Sequence, residues 1–203
     1  MAAAALALYG LSLALTFGVR IALQVRRTGS TGVIGIDRSA GPLGQFAGVL
    51  FAGSLAMGAL APILTLLGVL EPVPALDGAA GHVLGLALAL GGVVLTFGAQ
   101  LAMGDAWRIG VDPEERTELV TDGPFQLVRN PIYSAMIPTV FGLVLMVPNV
   151  VAIATIVCLV IALELQVRLV EEPYLLQAHG KAYAEYASRV GRFVPGVGLI
   201  PER

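Results

Sequence analysis

Five long, unbroken apolar runs constrain this chain more than any other feature: residues 2–25, 42–70, 81–104, 131–147 and 150–170. Most approach the roughly 20 residues that an α-helix needs to cross the hydrocarbon of a bilayer. Backbone polar groups find no water there, so only helices and closed barrels can span it. Barrel strands alternate apolar and polar residues, and these runs do not. The expectation is an all-α integral membrane protein with five transmembrane helices. Composition agrees, because 57% hydrophobic and 13% charged residues over 203 positions are too apolar for a soluble domain of this length. The fourth run is short and is expected to tilt little or to thin the bilayer locally.

The basic residues fix an orientation. Arg20, Arg26, Arg27 and Arg38 follow the first run, Arg108, Arg116 and Arg129 lie between the third and fourth, and Arg168, Lys181, Arg189, Arg192 and Arg203 follow the fifth. The connection at 71–80 holds only Glu71 and Asp77. This one-sided pattern predicts an N-terminus outside and a C-terminus inside a multi-pass inner or cytoplasmic membrane, with every sizeable polar segment facing the cytosol. The apolar start lacks the basic flank of a signal peptide and runs too long for one, so it reads as a retained helix. One membrane domain, 1–203, is expected: a three-helix scaffold over 1–104, then a loop, a helical hairpin and a C-terminal helical tail over 105–203. A net charge of -2 without a basic stripe gives no reason to expect nucleic acid. The lone cysteine, Cys158, can build neither a disulfide within the chain nor a metal site.

Glycines at 48, 53 and 58 on the second run and at 81, 85, 91 and 92 on the third permit close helix contact, within one chain or in a homodimer. Pro62 and Pro138 are expected to kink or locally unwind their helices. Trp107 suits an interfacial anchor. Between 117 and 125 a short extended pair of apolar residues precedes an Asp122-Gly123-Pro124 turn, irregular backbone of the kind that offers bare N–H and C=O groups to a ligand.

Charge at membrane depth is costly and usually faces a cavity, a partner or a ligand. Arg129-Asn130-Pro131-Ile132-Tyr133 opens the fourth run, and Glu171-Glu172 closes the fifth. Folding the hairpin at Pro148-Asn149 brings Tyr133 level with about Glu164, and Gln126 to Arg129 level with about Glu171, for equal rise on both arms. Arg168 is spaced to reach both Glu164 and Glu172 as i,i+4 partners. A separate tail helix is expected over about 173–190, followed by Gly191-Arg192-Phe193-Val194-Pro195.

The pattern Thr117-Glu118-Leu119-Val120, Gly123-Pro124-Phe125, Arg129-Asn130-Pro131-x-Tyr133, Glu171-Glu172, Gly180-x-x-Tyr183-x-x-Tyr186 and Arg192-Phe193-x-Pro195 resembles the isoprenylcysteine carboxyl methyltransferases and their bacterial and archaeal relatives. That group overlaps the phospholipid methyltransferases, and the resemblance covers about residues 105–196. It implies an S-adenosyl-L-methionine-dependent membrane methyltransferase whose cytosolic site is roofed by the tail and reached by a lipophilic or small acceptor, or a membrane lipid, from the bilayer. By the same resemblance Thr117, Glu118, Leu119, Val120, Phe125, Asn130, Pro131, Ile132, Tyr133 and Glu171 would hold the cofactor. Arg168 and Glu172 would lie nearer the acceptor as catalytic residues, Glu172 taking a proton from an amine.

Two positions depart from the pattern, which usually has His at Asn130 and Tyr at Phe125. Two other classes share parts of it. Membrane sterol and enone reductases, which use NAD(P)H, have a similar ending, and a non-catalytic membrane module could keep the same helices.

Overall fold

The computed structural model describes residues 1–35, 41–111 and 118–201. Of the residues singled out above, Arg38, Arg116, Thr117 and Arg203 lie outside them. The helices are α1 (Ala2–Thr28), α2 (Gly41–Leu66), α3 (Ala79–Ala102), α4 (Pro131–Met146), α5 (Val150–His179) and α6 (Lys181–Arg189). Among the described residues, α1, α2, α3 and α5 are long and apolar enough to cross a bilayer, and α4 is an apolar helix of 16 residues. The chain is an all-helical integral membrane protein. Pro62 and Pro138 lie inside helices that remain continuous.

Small residues set the central contact, where α3 lies against α4. A Cβ on Gly85 would stand 2.6 Å from the Gly142 carbonyl oxygen, and one on Gly92 would stand 2.8 Å from the Thr139 backbone nitrogen. Both backbones can therefore approach only because these positions are glycine. Gly53 and Gly91 have nothing within 4 Å of such a Cβ. Ala5 and Leu8 of α1 join Ala89, Val93, Met146 and Val147 in the largest buried apolar cluster.

The turn at Pro148-Asn149 forms as expected. Asn149 caps α5, its side chain accepting from the Ala152 N–H at 2.8 Å, while its amide donates to the Ala61 carbonyl and the Thr65 hydroxyl, each at 2.9 Å. That fully buried side chain ties the hairpin to α2, against which α5 chiefly packs.

The register of the hairpin differs from the symmetric fold-back. Tyr133 meets Glu171 rather than Glu164, and Arg129 meets Glu172. Two causes act together. Leaning on α2, α5 does not run strictly alongside α4, and its residues Val167–Glu171 form a wide π turn in which the Glu172 N–H reaches back five residues to the Val167 carbonyl. Widening also breaks i,i+4 spacing beyond Arg168, which pairs with Glu164 at 2.5 Å while Glu172 is held by Arg129 and Arg192.

A separate tail helix starting at 173 does not occur, because α5 runs on to His179. Pro173 lacks the N–H an α-helix would need there, and it sits on the first turn after the π segment, where that loss is absorbed. The break comes instead at Gly180, whose φ of 50° begins α6.

A second π turn, Ala14–Val19 in α1, precedes Arg20, whose N–H reaches back to the Leu15 carbonyl. Arg20 is buried; it donates to the carbonyls of Gln100 and Gly104 and stacks on Trp107, 4.5 Å from the ring centre. Trp107 is 3% exposed, so it is a packed partner of Arg20 and not a surface anchor. Together they pin the polypeptide that leaves α3.

Candidate active site

The ionisable ends of α4 and α5 converge where the chain enters α4. Val128 pairs as a parallel bridge with Gly191, and the N–H groups of Arg129 and Asn130 donate to the carbonyls of Gly191 and Arg192 at 2.8 and 3.1 Å. The segment after α6 is thereby laid along the entry to α4. Tyr183, Tyr186 and Ala187 of α6 form a buried cluster with Leu119, Leu175, Val190 and Ile200 around it. The Tyr186 hydroxyl donates to the Phe125 carbonyl at 2.6 Å, and burial pushes its phenol up to about 12, so it stays a donor.

Two carboxylates stand side by side on α5 with different partners. Glu171 accepts from the Tyr133 hydroxyl at 2.6 Å. Glu172 is gripped by two guanidiniums: Arg129 at 2.6 Å on Oε1, and Arg192 at 2.8 Å on Oε1 and 2.9 Å on Oε2. Hydrogen bonding to Glu172 raises the Arg192 guanidinium above its ordinary value. Arg129 also donates to the carbonyls of Ala187 at 3.1 Å, Gly198 at 3.0 Å and Val190. One buried arginine thus fastens α5 and the final segment to the start of α4.

The residues expected at the site divide accordingly. Tyr133 and Glu171 are brought into contact. Asn130 donates from its amide to the Arg192 carbonyl at 3.2 Å, and Pro131 begins α4 with Ile132 half-buried beside it. Phe125 is buried in a short 3-10 turn, Gly123–Gln126. Leu119 and Val120 are half-buried, Glu118 is exposed, and Thr117 is outside the described residues. Arg168 does not join them: its side chain is 56% exposed and held by Glu164.

Three neighbours were not foreseen as site residues. Arg192 was visible in the Arg-Phe-x-Pro stretch, but its partner Glu172 lies 20 residues away on another element. Tyr174 follows Glu171 by three residues and accepts from Arg108 at 2.9 Å, with that guanidinium 5.2 Å from its ring centre. Helical spacing from Glu171 could have flagged Tyr174; Arg108 offered no comparable signal.

A protein from Arabidopsis thaliana, Protein-S-isoprenylcysteine O-methyltransferase B, is 34% identical over 118 residues, covering 56% of this chain and 58% of that protein. The chain therefore matches less than two thirds of that relative's length. The solved structure of the eukaryotic intramembrane Ras methyltransferase ICMT (isoprenylcysteine carboxyl methyltransferase) is 22% identical. It superposes with a TM-score of 0.64 over 94% of this chain and 67% of its own, a likeness of fold. The phospholipid methyltransferase family model matches residues 80–182, from the start of α3 into α6 and so across both carboxylates, Tyr133 and Arg129, stopping short of Arg192. With half its length matching that model, the chain belongs to the phospholipid methyltransferase family.

Proposed function

We propose that this chain is an S-adenosylmethionine-dependent membrane methyltransferase acting on a lipophilic or small acceptor at the cytosolic face. The observation that carries the reading is the Tyr133–Glu171 pair, set beside a C-terminal segment strapped along the entry to α4. The donor set fits the cofactor. A carboxylate offers about four lone-pair sites, so Glu171 keeps capacity beyond Tyr133 for ribose hydroxyls or an ammonium. The irregular backbone of 118–120 can serve an adenine edge, with Leu119, Val120 and Phe125 as apolar contacts. Thr117, Asn130, Pro131 and Ile132 complete the proposed cofactor-binding set.

When bound, the cofactor supplies an electrophilic methyl on sulfonium, so the protein's tasks are to bind, align and exclude water. Tyr133 fixes the orientation of Glu171. Glu172, through Arg129 and Arg192, keeps the roof closed. Arg168, more than half exposed, is available to an anionic acceptor group. Glu172 can take a proton from an amine acceptor only after one of its guanidiniums lets go.

Binding of S-adenosylhomocysteine to the purified chain in detergent tests the reading, with NADPH run in parallel. Glu171→Gln should weaken S-adenosylhomocysteine by about 1.5–3 kcal/mol, the worth of a charge-assisted hydrogen bond in a dry site. Tight NADPH binding without S-adenosylhomocysteine binding would instead identify a reductase, and binding of neither would leave a non-catalytic module.

A further inference from the structure

The segment after α6 closes on its own backbone and leaves apolar side chains facing outward. Phe193-Val194-Pro195-Gly196-Val197-Gly198-Leu199-Ile200-Pro201 holds no ionisable side chain. The Arg192 N–H donates to the Val197 carbonyl at 2.7 Å, the Val197 N–H to the Val194 carbonyl at 3.0 Å, and the Ile200 N–H to the Ala187 carbonyl at 3.0 Å. The turn leaves no room for a side chain at Gly191, where a Cβ would run into the Val194 carbonyl oxygen. With the backbone fixed in this way, Val194 and Val197 stay 55% and 60% exposed. Leu127, next to the Val128–Gly191 bridge, is 66% exposed on the neighbouring segment.

The position of this loop along α4 says what covers it. The Phe193 carbonyl accepts from the Ser134 hydroxyl at 2.8 Å, and Ser134 lies in the first turn of α4. The loop is therefore level with the start of an apolar helix of a membrane protein and does not stand out beyond it. That helix has 16 residues. At roughly 1.5 Å per residue it covers about 24 Å of the about 30 Å of hydrocarbon in a bilayer. Apolar side chains set around its start lengthen the apolar surface of a helix that is short. The carbonyls of Phe193, Val194, Val197 and Gly198 are all taken within the chain, which lowers the cost of bringing irregular backbone against lipid. We propose that Val194, Val197, Leu199 and Leu127 enter the adjacent leaflet at the boundary between headgroups and acyl chains, with lipid as the partner of this surface. The inference rests on the membrane fold and is independent of the proposed function. The segment whose Arg192 grips Glu172 is thus also held to the bilayer by its exposed side chains.

Nitroxide labels on the full chain in phosphatidylcholine nanodiscs test this. The labels are placed at Leu127→Cys, Val194→Cys and Val197→Cys, each with Cys158→Ala so that the label has one site. Oxygen concentrates in lipid and a nickel chelate stays in water, so the ratio of their collision rates with the label reports its surroundings. Val94→Cys, on the exposed face of α3, and Lys181→Cys, at the exposed start of α6, give the lipid and water references. The three loop labels should approach the Val94→Cys ratio and stand several-fold above the Lys181→Cys ratio. Ratios equal to that of Lys181→Cys place the loop in water and overturn the proposal. Low collision rates with both reagents place it under protein, such as a second copy of this chain, and overturn it equally. Circular dichroism matching the parent chain shows that each labelled variant is folded, and agreement among three separate positions excludes a local effect of one label.

Discussion

Replacing Arg129 by methionine removes four donated hydrogen bonds at one stroke and keeps the length of the side chain. Arg129 is 6% exposed and serves Glu172, Ala187, Val190 and Gly198. Breaking a buried ion pair by removing one partner costs about 3–5 kcal/mol when it orphans the other charge. Here Glu172 keeps the two-point contact with Arg192, which lowers the cost. The carbonyl of fully buried Ala187 still accepts from the Ile200 N–H at 3.0 Å, and half-buried Val190 and Gly198 can find water, so no acceptor is stranded.

The expected loss therefore falls at the low end of that range, about 3 kcal/mol, concentrated in the segment that Arg129 fastens. Arg192→Met leaves the Arg129 hub intact and should cost only about 1–3 kcal/mol. Hydrogen exchange read by mass spectrometry on peptides covering 183–200 measures both, and each 1.4 kcal/mol of lost protection accelerates exchange about tenfold. Exchange in Arg129→Met no faster than in Arg192→Met would refute the hub.

Gly92→Ala should lower stability in detergent by about 1–3 kcal/mol, since its methyl meets the Thr139 backbone, whereas Gly91→Ala should be neutral or slightly stabilising; thermal unfolding distinguishes them. Asn130 donates to the Arg192 carbonyl, so it acts by orientation; Asn130→His should keep activity with no new step near a histidine pKa of about 6.5, and Asn130→Ala should bind cofactor less well. Methyl transfer followed from about pH 5.5 to 8.5 checks both, and a large gain with histidine that appears only as the imidazole loses its proton would be evidence for a proton carrier. A reporter fused after the C-terminal residue should read as cytosolic, and an extracytoplasmic signal would invert the topology.

The helices were legible because a bilayer leaves the backbone so few choices, and their ends in the structure fall within a few residues of the apolar runs except at two places. The second run was drawn to residue 70, but α2 stops at Leu66 and Gly68 turns the chain with a φ of 69°. The fifth run ends at 170, just before the adjacent carboxylates, yet α5 continues through Glu171 and Glu172, each with a partner on or just before α4. The convergence of α4 and α5 was legible from the short turn at Pro148-Asn149. Its register was not, because equal rise on both arms presumes α-helix throughout, and nothing in Val167-Arg168-Leu169-Val170-Glu171 announces a π turn. Glu172 read as a companion of Arg168 by spacing alone, whereas Arg129 and Arg192 reach it from 43 and 20 residues away.

The π turn at 167–171 is in effect one residue held in excess. Deleting a single residue there would leave an uninterrupted α-helix that keeps its hydrophobic match to α2 on the turn side. Everything beyond would then change phase by about 100°, the rotation of one residue in an α-helix. Glu171, Glu172 and Tyr174 would swing away together from Tyr133, from the two arginines and from Arg108. Foldability and the proposed site are therefore written in different reading frames of the same helix, and a chain one residue shorter can satisfy the first while dispersing the second.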